Sequence, residues 1–579
     1  VAALASLLLA TPALAQMDLS GEWLQKIQED EPERDAPQIG DYVGLPLNDA
    51  ARLRADTWSA AKWEQPEHEC EPHPADYSPR GPGSLRMWAD MDPHTMKVSA
   101  WHTEIMWMQP TREIFMDGRA HPPAFAADSW QGFSTGRWNA DMLEVDTDHL
   151  KEGWPRRNGL PRSSRAHMKE FFIRHSDYLT LVAIVHDPVY FTAPYILSSE
   201  WVADPGYHPI PSTCIPTAEV SHPRGWVAYN LPGKNPSLEE YARRYGIPLE
   251  AARGGAETMR PEYQTRLQSL PVPPPLPGEQ AGPGAQPHAQ ASSARSPAVR
   301  ASGGPLLANA TAAQSAAPVS AAAPDAPGAQ RPAANARQAL HARQGALIDL
   351  TGYWMAIVDQ DWRFRMMTGA PGDTEGIPVN AAGMQLSQAW RWTRDMGNGE
   401  ACKAYGAAGL MRLPERLHVH WADDDTLQID TDAGEQTRLL HFVAGTPARQ
   451  PQPSLQGYSV AHWFKQLQRA GFAPPFGGPV PGKGGSLSVV TTDMTPAYLR
   501  SNGVPYSGQA RLLEYFDRVE DEGASYLVLT SVVVDPTYLR DQYITSYEYQ
   551  LEPDGSHWNP RACGVPAPTR LAVPVIPGL

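Results

Sequence analysis

The residues best suited to chemistry cluster between positions 101 and 149. Asp117-Gly118-Arg119-Ala120-His121-Pro122 brings a carboxylate, a guanidinium and an imidazole close together, and His149 follows a strand-like segment. A positioned His with a carboxylate partner is a common general acid–base device. His121 or His149, with Asp117 as partner, would suit an isomerase, lyase or hydrolase. Arg119 and Arg137 would hold an anionic group on a ligand. Trp101, Trp107 and Trp138, with His102 and Glu104, would line a mostly apolar binding pocket.

Each residue also has a plainer explanation. Asp117-Gly118 is a favoured hairpin turn, beside which Arg119 simply pairs with Asp117 at the surface. His121 stands before two prolines and suits a loop whose ring bonds to backbone. Arg137 next to Trp138 suits a stacked surface pair. His149, near Lys151, Arg156 and Arg157, suits either a small anionic pocket or a solvated strand end. The stripe Trp88, Trp101, Met106, Trp107 and Met108 suits a core.

Standard signatures are sparse. The chain has no His-Glu-x-x-His, no phosphate loop and no Cys-x-x-Cys. Ser134 in Gly132-Phe133-Ser134-Thr135-Gly136 echoes a nucleophile elbow, without the strand–turn–helix context that chemistry needs. His102, Glu104, His121 and His149 are of metal-ligand type, but no pair lies at a tight ligand spacing. The expectation is no cofactor and no metal.

These residues must be held by folded units, and a repeat defines them. Asp18-Leu19-Ser20-Gly21-Glu22-Trp23 recurs as Asp349-Leu350-Thr351-Gly352-Tyr353-Trp354. Gly44-Leu45-Pro46-Leu47-Asn48 recurs as Gly376-Ile377-Pro378-Val379-Asn380, Asn158-Gly159-Leu160-Pro161 as Asn502-Gly503-Val504-Pro505, and Asp187-Pro188-Val189-Tyr190 as Asp535-Pro536-Thr537-Tyr538. Cys70 and Cys214 match Cys402 and Cys563. Blocks kept in order mean a duplication. Pairing within each copy, Cys70 with Cys214 and Cys402 with Cys563, lets each unit close independently.

The expected organisation is a cleaved secretory signal over 1–15, copy one over 16–262, a linker over 263–345 and copy two over 346–579. The signal rests on the apolar Val1–Leu9 stretch and the small-x-small Ala13-Leu14-Ala15. The linker rests on Ala, Pro, Gly, Ser and Gln with almost no aromatics, which cannot bury enough surface to order itself. Such a tether leaves the two copies free either to pack together or to move apart.

Net charge is −16 over 579 residues, so nothing favours nucleic acid or an anionic membrane. No segment past the signal has the roughly 18 apolar residues of a membrane helix. The expected location is periplasmic or secreted.

Within each copy the signals are mostly strand. Lys169–His175 and Leu179–His186 form a hairpin around Ser176-Asp177, matched by Leu512–Val519 and Tyr526–Val534; Leu417–Trp421 and Leu427–Asp430 form another. Asn48 and Asn380 suit N-caps of helices ending near Trp58 and Trp390. Ser237-Leu238-Glu239-Glu240 suits a capping box. The fold class expected is mainly β: two homologous antiparallel barrels or sandwiches with a few short helices.

The opening Gly-x-Trp of both copies resembles the lipocalin-like barrels, where a Trp on the first strand plugs one end. A longer resemblance runs through Asp117-Gly118-Arg119-Ala120-His121-Pro122, Gly132-Phe133-Ser134-Thr135-Gly136-Arg137-Trp138, Leu143-Glu144-Val145-Asp146-Thr147, Asn158-Gly159-Leu160-Pro161 and Asp187-Pro188-Val189-Tyr190. Over about 18–201 the chain is similar to a large family of exported hypothetical proteins of soil and aquatic bacteria. That resemblance implies compartment and fold unit, and no reaction. Copy two departs at the polar blocks: Phe115-Met116-Asp117-Gly118-Arg119 faces His441-Phe442-Val443-Ala444-Gly445, Gly136-Arg137-Trp138 has no evident partner before Leu487, and His149 faces Asp493. Any site is therefore expected in copy one.

Three functions fit: an exported protein holding a small, mostly apolar ligand inside the copy-one barrel, an enzyme on that scaffold, or a non-catalytic envelope interaction protein.

Overall fold

The computed structural model describes residues 17–26, 38–65, 68–80, 83–95, 97–106, 108, 110–206, 214, 221–276, 341–442, 452–465, 485–570 and 573. The expected signal, Trp107 and most of the expected linker lie outside them.

Copy one contributes strands β1 (Gly21–Gln25), β2 (Leu85–Met91), β3 (Val98–Ile105), β4 (Thr111–Phe115), β5 (Phe133–Asn139), β6 (Met142–Asp148), β7 (Gly153–Arg156), β8 (Leu160–Arg162), β9 (His167–His175), β10 (Tyr178–His186) and β11 (Tyr195–Ala203). Copy two contributes β12 (Gly352–Ile357), β13 (Arg416–Asp423), β14 (Thr426–Thr431), β15 (Ala433–Gly434), β16 (Thr437–His441), β17 (Tyr458–Phe464), β18 (Ser486–Thr492), β19 (Ala497–Arg500), β20 (Val504–Tyr506), β21 (Arg511–Asp521), β22 (Ala524–Val534), β23 (Tyr543–Glu552) and β24 (Arg561–Ala562).

Each copy closes nine strands into a barrel, in the orders β1-β11-β10-β9-β6-β5-β4-β3-β2 and β12-β13-β14-β16-β17-β18-β21-β22-β23. Barrel, rather than sandwich, is therefore the architecture. It is not wholly antiparallel, because alternating strand directions cannot close an odd ring. One parallel pair is required, and each barrel places it at the same step, β4 with β5 and β16 with β17. This departs from the eight-stranded up-and-down lipocalin barrel.

Sequence alternation sets what faces inward. Trp23, Trp101, Leu143, Phe172 and Trp201 fill barrel one, and Trp354, Leu417, Leu487, Phe516 and Tyr549 fill barrel two. The Gly-x-Trp tryptophans are anchored alike: Trp23 Nε1 donates to Leu19 O at 3.0 Å, and Trp354 Nε1 to Leu350 O at 2.8 Å. Arg174 and Arg518 lie over the two rings.

The other repeated blocks are also structural. Asp187 accepts from Ser163 N at 2.6 Å and Asp535 from Ser507 N at 2.6 Å. Asn158 and Asn502 each donate to two backbone carbonyls. Asn48 and Asn380 cap the Asp49–Thr57 and Ala381–Ala389 helices by accepting from Ala51 N and Gly383 N. The capping box does not form: the helix starts at Glu240, while Ser237 N donates to Asn235 Oδ1 in a preceding turn. The fold also continues past residue 262, where Tyr263–Leu267 is helical and Tyr263 is buried.

Both disulfides are within copies, Cys70–Cys214 and Cys402–Cys563, with Cα atoms 5.5 and 5.0 Å apart. They fit an oxidising compartment, and Cys70, being oxidised, is no metal ligand. Among the described residues no helix is long and apolar enough to cross a membrane.

The two barrels pack face to face about a local two-fold axis. The 187–203 and 535–551 segments align without a gap, making Ser198 and Ser546 equivalent, and Ser546 Oγ donates to Ser198 Oγ at 2.6 Å. Thr180 meets Thr530 at 2.9 Å, while their counterparts Val528 and Val182 share one apolar cluster. Contact between equivalent elements is the mark of an isologous interface. Asp359 and Gln360 of copy two accept from Ile196 N and Ser198 N on the part of β11 beyond its pairing with β1.

Candidate functional site

The predicted ligand wall is split by the strand period. On β3, Trp101 points into barrel one, while His102 and Glu104 face outward. His102 stacks on Trp88 and sits 2.9 Å from Asp90. On β5, Trp138 packs against the barrel core, while Arg137 is exposed and pairs with Glu144. Ser134 lies within β5, one residue from its start, and is buried, which removes it as a nucleophile elbow.

Barrel one is filled rather than hollow. Arg112 crosses its interior, donating to Glu170 with both terminal nitrogens, to Ser134 Oγ through Nε at 2.8 Å, and to Thr147 Oγ1. Beside this cluster remains a cavity of about 20 Å³, room on the order of one water rather than a ligand. Barrel two repeats the cluster: Arg438 holds Glu514 by two bonds, with Ser459 2.8 Å from Thr491. The repeat was visible in the sequence as Thr111-Arg112 with Thr437-Arg438 and Glu170 with Glu514. A buried charge kept in both copies serves the barrel, not a reaction special to one.

The polar loop of copy one forms a different site. Asp117 pairs with Arg119 at 2.6 Å, and the guanidinium lies over Phe115. That bond to Arg119 holds the Asp117 carboxyl below its usual range. Asp117 is thus not the partner of either His. The crossover from β4 to β5 instead brings His121 Nε2 to 2.8 Å from Thr135 Oγ1, on the outward side of β5, and His121 Nδ1 to 2.7 Å from Asp148 Oδ1. The latter contact has ion-pair distance without hydrogen-bond alignment. His149, in the left-handed region at φ 52°, contacts Pro122 O at 3.1 Å and lies 3.5 Å from Asp128.

A hydroxyl, an imidazole and a carboxylate in a row can activate the hydroxyl as a nucleophile. Copy two has lost that row. By strand register Thr135 faces Val460, Asp148 faces Thr492 and His149 faces Asp493. The same register finds the partner of Gly136-Arg137-Trp138 that sequence comparison lacks, Ala461-His462-Trp463. Sequence reasoning missed Thr135 and Asp148, whose alternation with inward Ser134 and Thr147 was the available signal.

The roomiest of these sites lies between the barrels. A cavity of about 280 Å³ is walled by apolar groups, among them Ile196, Met259, Met355, Ile357 and Tyr526, with His186, Arg260, Asp521, Glu522 and Gln550 as polar lining. His186 Nε2 lies 2.6 Å from Asp521 Oδ2, joining copy one to the β21–β22 hairpin of copy two. Nothing in the sequence pointed here, because the lining comes from segments scattered from His186 to Gln550. No family model, curated protein or solved structure matches the chain.

Proposed function

We propose that this is an exported protein that binds a small, mostly apolar molecule in the cavity between its two barrels. The observation carrying the reading is that cavity. At about 280 Å³ it sits at roughly the low end of small-molecule sites, which run about 300–1,000 Å³ and combine apolar walls with a few polar groups. Two disulfides and the signal-like start support export, as does the resemblance of copy one to exported bacterial proteins. The site expected inside barrel one is moved to the junction, because the barrel is filled. A thermal-shift screen of fragment-sized apolar acids and amines tests the reading. Ligands should raise the melting temperature of the native chain and not of Ala193→Trp, whose ring would occupy the cavity. Equal shifts in both would overturn it.

A second reading is favoured by the Thr135–His121–Asp148 row and its loss in copy two. With the proton of His121 on Nδ1, Nε2 takes the Thr135 hydroxyl proton as the oxygen attacks an ester carbonyl. The adduct collapses by breaking the bond to the alcohol, which leaves with that proton from Nε2, and water then hydrolyses the acyl-threonine by the same route. Loss of ester hydrolysis in His121→Ala, with cavity binding intact, would support it.

A further inference from the structure

We propose that His167, His186 and Glu522 bind one divalent transition-metal ion of the zinc type, with ligands drawn from both barrels. His167 and His186 are cross-strand partners on β9 and β10. Their rings stack with centroids 4.8 Å apart and 5° from parallel, so sharing one ion requires one ring to turn about its Cβ–Cγ bond and bring its lone pair out of the stack. Glu522 comes from the tip of the β21–β22 hairpin, with Oε1 3.1 Å from His167 Nε2 and Oε2 3.5 Å from His186 Nδ1. Metal–ligand bonds of about 2.0–2.2 Å in a tetrahedral site put ligand atoms roughly 3.3–3.5 Å apart, close to these two separations, each of which uses a different Glu522 oxygen. The one-ligand-atom-per-residue set lies within 4.8 Å throughout.

Two further features support a metal over a chance ion pair. His186 Nε2 faces Asp521 Oδ2 at 2.6 Å. A proton held there leaves Nδ1 as the lone-pair nitrogen toward Glu522, the carboxylate–histidine–metal arrangement. Finally, the hairpin is four residues longer in copy two, from Glu514 to Asp535 against Glu170 to Asp187. The added tip carries Asp521 and Glu522 to copy one, and the histidine positions hold Arg511 and Val534 in copy two. Two imidazoles and one carboxylate leave a coordination position open, as in zinc sites that also take water or substrate.

The inference does not rest on cavity binding, although the sites share His186 and Glu522. Metal binding is read with zinc alone, and cavity binding with metal-free protein. The test is calorimetric titration of zinc chloride into the untagged full chain. We expect one tight equivalent, weakened at least tenfold in His167→Ala and in Glu522→Gln and unchanged in His418→Ala, which alters the His418/His420/Asp430 group of barrel two. His167 and Glu522 side chains are about half exposed, so both variants should fold. No saturable binding, binding that survives both changes, or binding lost only in His418→Ala would overturn the proposal.

Discussion

Inside the first barrel Glu170 accepts from both terminal nitrogens of Arg112, and in the second Glu514 accepts from both terminal nitrogens of Arg438. A buried pair of this kind gains little over an apolar filling, but removing one partner strands a charge. Arg112→Ala should cost about 3–5 kcal/mol in denaturant unfolding. The double change Arg112→Met with Glu170→Leu should cost much less. Equal losses would mean that the arginine matters for packing alone.

Asp141 sits at the barrel interface, where burial, and then the charge of Asp517, push its carboxyl up to about 6 despite His175 and Lys465 nearby. Unfolded, it ionises near pH 4. The folded state therefore holds a proton between about pH 4 and 6 that the unfolded state has lost, so this group's contribution falls as pH rises through that window. Asp141→Asn should gain stability over the native chain at pH 7.5, by up to about 3 kcal/mol, and little at pH 3.5. Melting curves at the two pH values check this.

The disulfides close sequence separations of 144 and 161 residues. Replacing Cys402 and Cys563 together by Ala should lower stability by about 2–5 kcal/mol. Denatured without reductant, the native chain should show no thiol reactive to maleimide.

Ester hydrolysis, if the Thr135 row performs it, should fall about 10²–10⁴-fold in His121→Ala. Thr135→Val, which installs the residue of barrel two, should abolish it. Asp117→Asn should leave it unchanged, because Asp117 serves only Arg119. Loss of activity in Asp117→Asn would return that residue to the site.

What could be read from the sequence was what is local or repeated. Asn48 and Asn380 cap helices, the Asp-Pro and Asn-Gly blocks pin backbone, and the cysteines pair within copies, because each depends on nearby chain or on the duplication. The parallel β4–β5 step was hidden, since no hairpin turn announces it and only ring parity requires it. Trp101 and His102 looked like one wall until the period of two sent them to opposite faces. Proximity in sequence pairs His121 with Asp117, whereas the crossover delivers it to Asp148. The junction could not be read at all, because it depends on how the barrels dock.

Native mass spectrometry of the full chain isolated from a periplasm, beside Ala193→Trp prepared the same way, shows whether a ligand sits between the barrels. The native chain should carry an extra small-molecule mass, released on denaturation and missing from the variant. A bare mass for both, or the same extra mass on both, would contradict it.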